Sequence, residues 1–247
     1  MKKYVAIFWD WNGTLVDDLQ YNIDCINFVI DKRRYERIDK ERYFKTFGFP
    51  IVDFYKKLGF DFDRDPYEEV AEEYIEKYNA GADDIPLRKG VKEALAVYAD
   101  KGIRQYILTA SEKKIVEHGI RVRGIENYFT DVLGLDNYLA RGKTTVGKKY
   151  LEQNPLEGDA VLIGDTEHDK EVAKELGMDC VLVKGGHSSD EKLAGIGVPV
   201  VDEVNQTYRY VLPSGRGFGR TFCDTAFISK YKSFYDDLKN TNKTEDW

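Results

Sequence analysis

The sequence predicts a doubly wound, parallel α/β sheet with a helical segment inserted after the first strand. Three observations carry this. Short, nearly continuous apolar runs recur along the chain, as in strands buried on both faces. Stretches with helical spacing lie between them, the alternation that builds such a sheet. From residue 17 to 86 the apolar runs vanish, and aromatic and charged residues recur at helical spacing instead.

Tyr4–Phe8 is the first run, and it delivers Asp10 onto an Asn12-Gly13 turn. Helical patterns follow over Asp18–Asp31, Lys40–Phe47, Ile51–Leu58 and Pro66–Asn79. Gly48-Phe49-Pro50 and Gly59–Pro66 break them. The Tyr and Phe residues of this segment read as interhelical packing. Val91–Ala99 is a helix with Val91, Ala94, Leu95 and Tyr98 on one face. Gln105–Leu108 and Val161–Ile163 are strands, with a lysine-rich helix start at Arg141–Thr145 between them. Thr166–Leu176 is helical and ends at Gly177, a C-terminal cap. Cys180–Val183 and Val198–Val201 complete the sheet. Beyond residue 206 the composition shifts. Ser214–Arg220 is rich in Gly and Arg and reads as a connector rather than an RNA contact, and Tyr231–Leu238 as a last helix.

At 247 residues, 42% hydrophobic and 33% charged, the chain has the makings of a folded globular protein with a sizeable core. A net charge of −7 argues against a nucleic-acid partner. No apolar run spans a bilayer and no secretory leader is evident, so a cytoplasmic protein is expected. Cys25, Cys180 and Cys223 read as free thiols.

Ligands of open α/β sheets bind beyond the carboxyl ends of the strands. After the first strand comes Asp10, after the second Thr109-Ala110-Ser111, and after the third Gly164-Asp165-Thr166-Glu167-His168-Asp169. Carboxylates gathered at one point repel and need a cation. A few hard oxygen ligands with room for water favour Mg²⁺. A lysine and a hydroxyl beside such an ion suit a phosphate.

Asp10-Trp11-Asn12-Gly13-Thr14-Leu15 resembles the first motif of the haloacid dehalogenase-like hydrolases, usually Asp-x-Asp-Gly-Thr-Leu. The resemblance extends over most of residues 1–205. It implies a Rossmann-like core over residues 1–16 and 87–205, a helical cap over 17–86, as in the phosphoglycolate phosphatase-like branch, and an extension over 206–247. It also implies that Asp10 is the nucleophile of an aspartyl-phosphate intermediate. Thr109 and the Ala110 amide bind the phosphoryl group, and Lys143 offsets its charge. Asp165, supported by Asp169, binds Mg²⁺ together with Asp10 and the main-chain carbonyl of Asn12. Lys148 and Lys149 are rivals of Lys143, which has the better spacing to Asp165. The expected partner is a small phosphorylated metabolite, bound by a monomer or homodimer without nucleic acid or membrane. Arg33, Arg34, Lys45, Lys56 and Lys57 are candidate anion contacts in the cap, although each reads more simply as part of a solvated helix face.

Asn12 departs from the family pattern, in which that position holds the general acid/base. An amide donates hydrogen bonds but exchanges no proton at neutral pH. Proton transfer contributes ~10²–10⁴-fold, so alkoxide leaving groups suffer most and aryl or acyl phosphates least. The expected function is a phosphatase whose acid comes from a cap residue, His168 or the substrate. The alternatives are an impaired protein that binds a phosphometabolite or partner without efficient turnover, and deamidation of Asn12-Gly13 to Asp. His168 by itself reads as a surface helix residue, and His118 and His187 show no partner in the sequence.

Overall fold

A computed structural model describes residues 3–136 and 142–212. The Ser214–Arg220 segment, the expected helix over Tyr231–Leu238 and Cys223 lie outside the described residues.

The strands are β1 (Tyr4–Trp9), β2 (Arg104–Glu112), β3 (Asp131–Leu135), β4 (Asp159–Gly164), β5 (Asp179–Val183) and β6 (Val200–Val201). They form one parallel sheet in the order β3-β2-β1-β4-β5-β6. Ile7 of β1 pairs with Gln105 on one side and Val161 on the other. Ala6 through Trp9 are fully buried, as the unbroken apolar run requires. The chain order reverses at β1, so the ends of β1, β2 and β4 open into one crevice.

The inserted segment forms α1 (Leu19–Arg33), α2 (Lys40–Thr46), α3 (Ile51–Lys57) and α4 (Tyr67–Asn79). Their apolar faces make a second core from Ile23, Ile26, Ile30, Tyr43, Phe54 and Val70, among others. The aromatic residues pack between helices as expected, except the exposed Phe49 and Phe28. The Phe28 ring lies under the ammonium groups of Lys32 and Lys77.

The remaining helices are α5 (Val91–Asp100), α6 (Lys113–Val122), α7 (Lys143–Gln153), α8 (Glu167–Glu175), α9 (Asp190–Leu193) and α10 (Tyr208–Val211). Four elements have no counterpart in the sequence reading: β3, α6 and the single four-residue turns α9 and α10. β3 is short and broken by Gly134, where a Cβ would meet the Lys113 backbone. α6 carries Gly119, which reads as a breaker but lets Trp11 pack against the helix. The last strand is shorter than its apolar run because Pro199 has no N–H, although its carbonyl still accepts from Leu182. No helix among the described residues is long and apolar enough to cross a membrane.

Candidate active site

Asp10 leaves β1 with its N–H donated to the Ile163 carbonyl at 2.9 Å, which fixes it to the neighbouring β4. Asp165 leaves β4, and Asp169 sits in the first turn of α8. All three carboxylates are buried, and an oxygen from each lies within 4.8 Å of the others. Lys143, the first residue of α7, is equally buried. Its Nζ lies 2.7 Å from Asp10 Oδ1 and also bonds Asp169 Oδ1. Lys148 instead pairs with Glu175 on the surface.

Local capping explains Asp169. Its Oδ2 accepts from the Asp165 N–H at 3.1 Å, the Thr166 N–H at 2.9 Å and the Thr166 hydroxyl at 2.7 Å. Thr166 in turn caps α8 in a reciprocal box. Asp169 thus has one oxygen anchoring Lys143 and the other anchoring the turn that carries Asp165. The Asp165 carboxylate is held by the Thr14 hydroxyl at 3.1 Å and by the His187 N–H at 2.5 Å. A side chain at Gly13 or Gly186 would fall onto this carboxylate, and Gly13 has φ +72°.

Three carboxylates share one ammonium. Burial, then repulsion from Asp169 and Asp165, lifts Asp10 to about 7 against the pull of Lys143. Burial likewise lifts Asp165 to about 6. Burial alone would raise Asp169 too, but Lys143 and the Thr166 donors hold it below the ordinary range. The donor set is hard, oxygen-only and too negative for its single cation, which suits a divalent ion such as Mg²⁺.

Thr109 is buried inside β2, which runs on to Glu112 past the expected end of the strand, and its Oγ1 accepts from the Ser111 N–H. Thr109, the exposed Ala110 and Ser111 face the same cavity as Asp10. Asp10, Thr109, Ala110, Lys143, Asp165 and Asp169 therefore line one cavity.

A second buried network begins at Asn12. Its Nδ2 donates to Asp18 Oδ2 and to the Tyr78 hydroxyl, both at 2.8 Å. Its Oδ1 accepts from the Ser111 hydroxyl at 2.7 Å. Asp18 stands at the N-terminus of α1 but caps nothing with its side chain. The carboxylate instead receives the Gly13 N–H at 2.7 Å, the Tyr78 hydroxyl at 2.8 Å and His187 Nε2 at 3.1 Å. His187 Nδ1 faces the Tyr43 hydroxyl at 2.8 Å. Burial by itself would depress the imidazole, yet the Asp18 charge and hydrogen bond lift it to about 9.

Sequence reasoning missed Asp18 and His187. Asp18 looks like an ordinary helix cap, and His187 is far from it along the chain. A glycine pair, Gly185-Gly186, directly before His187 was the available hint of close backbone approach. His168 is not a cavity residue. It stacks on Phe49 at 4.3 Å and lies 3.5 Å from Glu171, so it seats the helical insertion on the core. The expected cap cations are elsewhere too. Arg33 pairs with Glu73, Lys45 with Glu41 and Lys56 with Asp53, and none of the five lines the cavity.

That cavity, about 350 Å³, lies between the inserted helices and the strand ends. Its floor is Asp10, Thr109, Lys143 and Asp165. Its walls include Phe47, Ile51 and Ile75 from the insertion and Trp11 and Ile115 from the core.

Known proteins resemble this chain in sequence and in fold. The chain is 26% identical over 188 residues to a protein assigned by name as the pyrophosphatase PpaX of Caldanaerobacter subterraneus subsp. tengcongensis, over 74% of this chain and 82% of that one. It is 24% identical over 177 residues to the phosphoglycolate phosphatase of Photobacterium profundum, over 68% and 76% of the two chains. The crystal structure of a predicted phosphatase from Clostridium acetobutylicum has the same fold, with a TM-score of 0.73 at 20% identity, over 85% of this chain and 99% of that one. The model of one family, described as haloacid dehalogenase-like hydrolase, matches residues 7–183, from β1 to the end of β5. With Asp10, Lys143, Asp165 and Asp169 all inside that span, the chain belongs to the haloacid dehalogenase-like hydrolases.

Proposed function

We propose that this protein is a Mg²⁺-dependent phosphatase that hydrolyses a small phosphorylated metabolite through a phosphoryl-Asp10 intermediate. The observation that carries the reading is the cluster of Asp10, Asp165 and Asp169 around one ammonium at the floor of a cavity. Pyrophosphate and phosphoglycolate, the substrates in the relatives' names, belong to the same broad class.

Asp10, Asp165 and the Asn12 main-chain carbonyl would hold the ion, with Asp169 in support. Bound there, Mg²⁺ supplies Lewis-acid polarisation of the phosphoryl oxygens and cancels the excess negative charge. Asp10 attacks phosphorus with its carboxylate. Lys143 offsets charge on nucleophile and phosphoryl group, and Thr109 with the Ala110 N–H binds the equatorial oxygens. Asp169 keeps Lys143 in place. Asn12 holds the turn after the nucleophile and passes no proton.

Hydrolysis of p-nitrophenyl phosphate tests this. Turnover should require Mg²⁺ and fall at least ~10³-fold in Asp10→Asn. Acid-quenched parent should carry phosphate on Asp10 by peptide mass spectrometry. Mg²⁺-dependent turnover that survives Asp10→Asn would remove Asp10 as the nucleophile.

A further inference from the structure

The leaving-group side of the cavity differs chemically from its floor, and with Asn12 it points to one class of substrate. We propose that the substrate is an aryl phosphate monoester, whose aromatic ring lies among the apolar walls and whose oxygen departs unprotonated. This rests on the phosphatase reading above.

Two independent observations converge. The first is the wall. Phe47, Ile51, Tyr74 and Ile75 line it from the insertion, and Trp11 and Ile115 from the core. Four basic side chains also line the cavity, and each is already engaged. Lys143 is held by Asp10 and Asp169 on the floor. His187 faces Asp18, and His118 faces Asp83 at 3.0 Å. Arg123 donates to the carbonyls of Gly119, Ala82 and Ile85 and lies over the Trp11 ring. Arg123 is the one of the four held by carbonyls rather than by an acid, so a leaving group with its own carboxylate or phosphate would have to compete with those carbonyls for it and would otherwise be desolvated against apolar walls. A ring would gain burial and edge or face contacts. A volume of about 350 Å³ is ample for a small ligand.

The second observation is Asn12. Its amide donors are committed to Asp18 and Tyr78, and it has no proton to give. A phenol has a pKa of about 10, so phenolate leaves without help; an alkoxide, nearer ~16, does not.

The step balances as follows. A carboxylate oxygen of Asp10 bonds to phosphorus while the bond from phosphorus to the ring oxygen breaks. That electron pair leaves on the phenolate, which takes its proton from solvent. One water then bonds to phosphorus, the bond to Asp10 breaks with its electrons returned to the carboxylate, and the water's proton passes to solvent. Orthophosphate is released.

The test uses the full chain with Mg²⁺ and five probes: p-nitrophenyl, phenyl and cyclohexyl phosphate, phosphoglycolate and pyrophosphate. Cyclohexyl phosphate matches the ring in size but leaves as an alkoxide. Its kcat/KM should fall below that of phenyl phosphate by ~10²-fold or more, while it inhibits competitively near the phenyl phosphate KM. Phosphoglycolate and pyrophosphate should trail phenyl phosphate at least ~10-fold and inhibit poorly. Ile75→Lys and Ile115→Lys, checked for folding by circular dichroism, should each shift the preference towards phosphoglycolate. Phosphoglycolate or pyrophosphate turned over as well as phenyl phosphate would overturn the aryl assignment and leave the phosphatase reading standing. No Mg²⁺-dependent turnover of any probe, p-nitrophenyl phosphate included, would overturn both.

Discussion

Two buried polar networks meet at the turn after β1, and they are built on opposite principles. Around Asp10 three carboxylates share one ammonium, leaving two negative charges in excess. Around Asp18 one carboxylate faces one imidazole and accepts from the Asn12 amide, the Tyr78 hydroxyl and the Gly13 N–H. The first is incomplete without a positive ion. The second is balanced, and its groups satisfy one another. Charge left uncompensated in a protein interior is costly, so it marks a place prepared for a ligand. Charge fully compensated marks a scaffold. Asn12 belongs to the scaffold side, although the residue type expected at its position would belong to the chemistry.

Removing Lys143 should sharpen this contrast most. Lys143→Met leaves three buried carboxylates without a counter-charge, a loss of about 3–5 kcal/mol in EDTA. Mg²⁺ should restore much of it, because an ion that binds only the folded form stabilises by mass action. Thermal melts with and without Mg²⁺ check this, and equal losses in both would mean the cluster does not hold the ion.

The balanced network makes the next prediction. The folded value of His187, about 9, lies above its ordinary 6.5. Its contribution is therefore whole below pH 6.5 and is lost as pH rises through about 9. Asp18 is held below its ordinary 3.8, so its share is whole above that pH and lost only in acid. Between pH 6.5 and 9 the advantage of the parent over His187→Asn should fall by on the order of 3 kcal/mol. The His187 charge also holds Asp165 down, so the titrations of Asp165 near 6 and Asp10 near 7 shift in the variant, and the part of the fall that belongs to His187 is read above pH 7. A difference independent of pH in this window would break the assignment.

The smallest effect tests Asn12 itself. Asn12→Asp sets a second carboxylate against Asp18 and takes away its amide donor, at a cost of about 1–3 kcal/mol. It should nonetheless raise turnover of cyclohexyl phosphate, up to ~10²-fold. Loss of stability without gain in alkyl turnover would show that position 12 does not face the departing oxygen.

The floor of the site was legible because each residue follows an apolar run or opens its own helix. Asp10, Thr109, Lys143 and Asp165 are placed by local pattern plus one topological rule. Asp169 carries an equally local signature, since it closes a capping box. The pairing of Asp18 with His187 was not legible. His187 and Asp18 are 169 residues apart, and neither has a local signature of the other. The cap cations misled for a related reason. Arg33, Lys45 and Lys56 look available in sequence, but nearby acids on the inserted helices claim them. β3 and α6 escaped because Gly134 and Gly119 read as breaks, whereas each is a place where another part of the chain presses close.

The hydrogen bond from the Gly13 N–H to Asp18 also bears on the protein's chemical lifetime. In a loose chain an Asn-Gly pair ages, because the glycine nitrogen closes on the asparagine side chain and the ring reopens to an acid. Here that nitrogen is tethered at 2.7 Å to Asp18. The Asn12 side chain is held at both ends by Ser111, Tyr78 and Asp18. The fold thus preserves the amide that the isolated peptide would lose. Protein that has spent time unfolded should return with an acid at position 12, so the history of a sample would be written into which phosphate esters it can cleave.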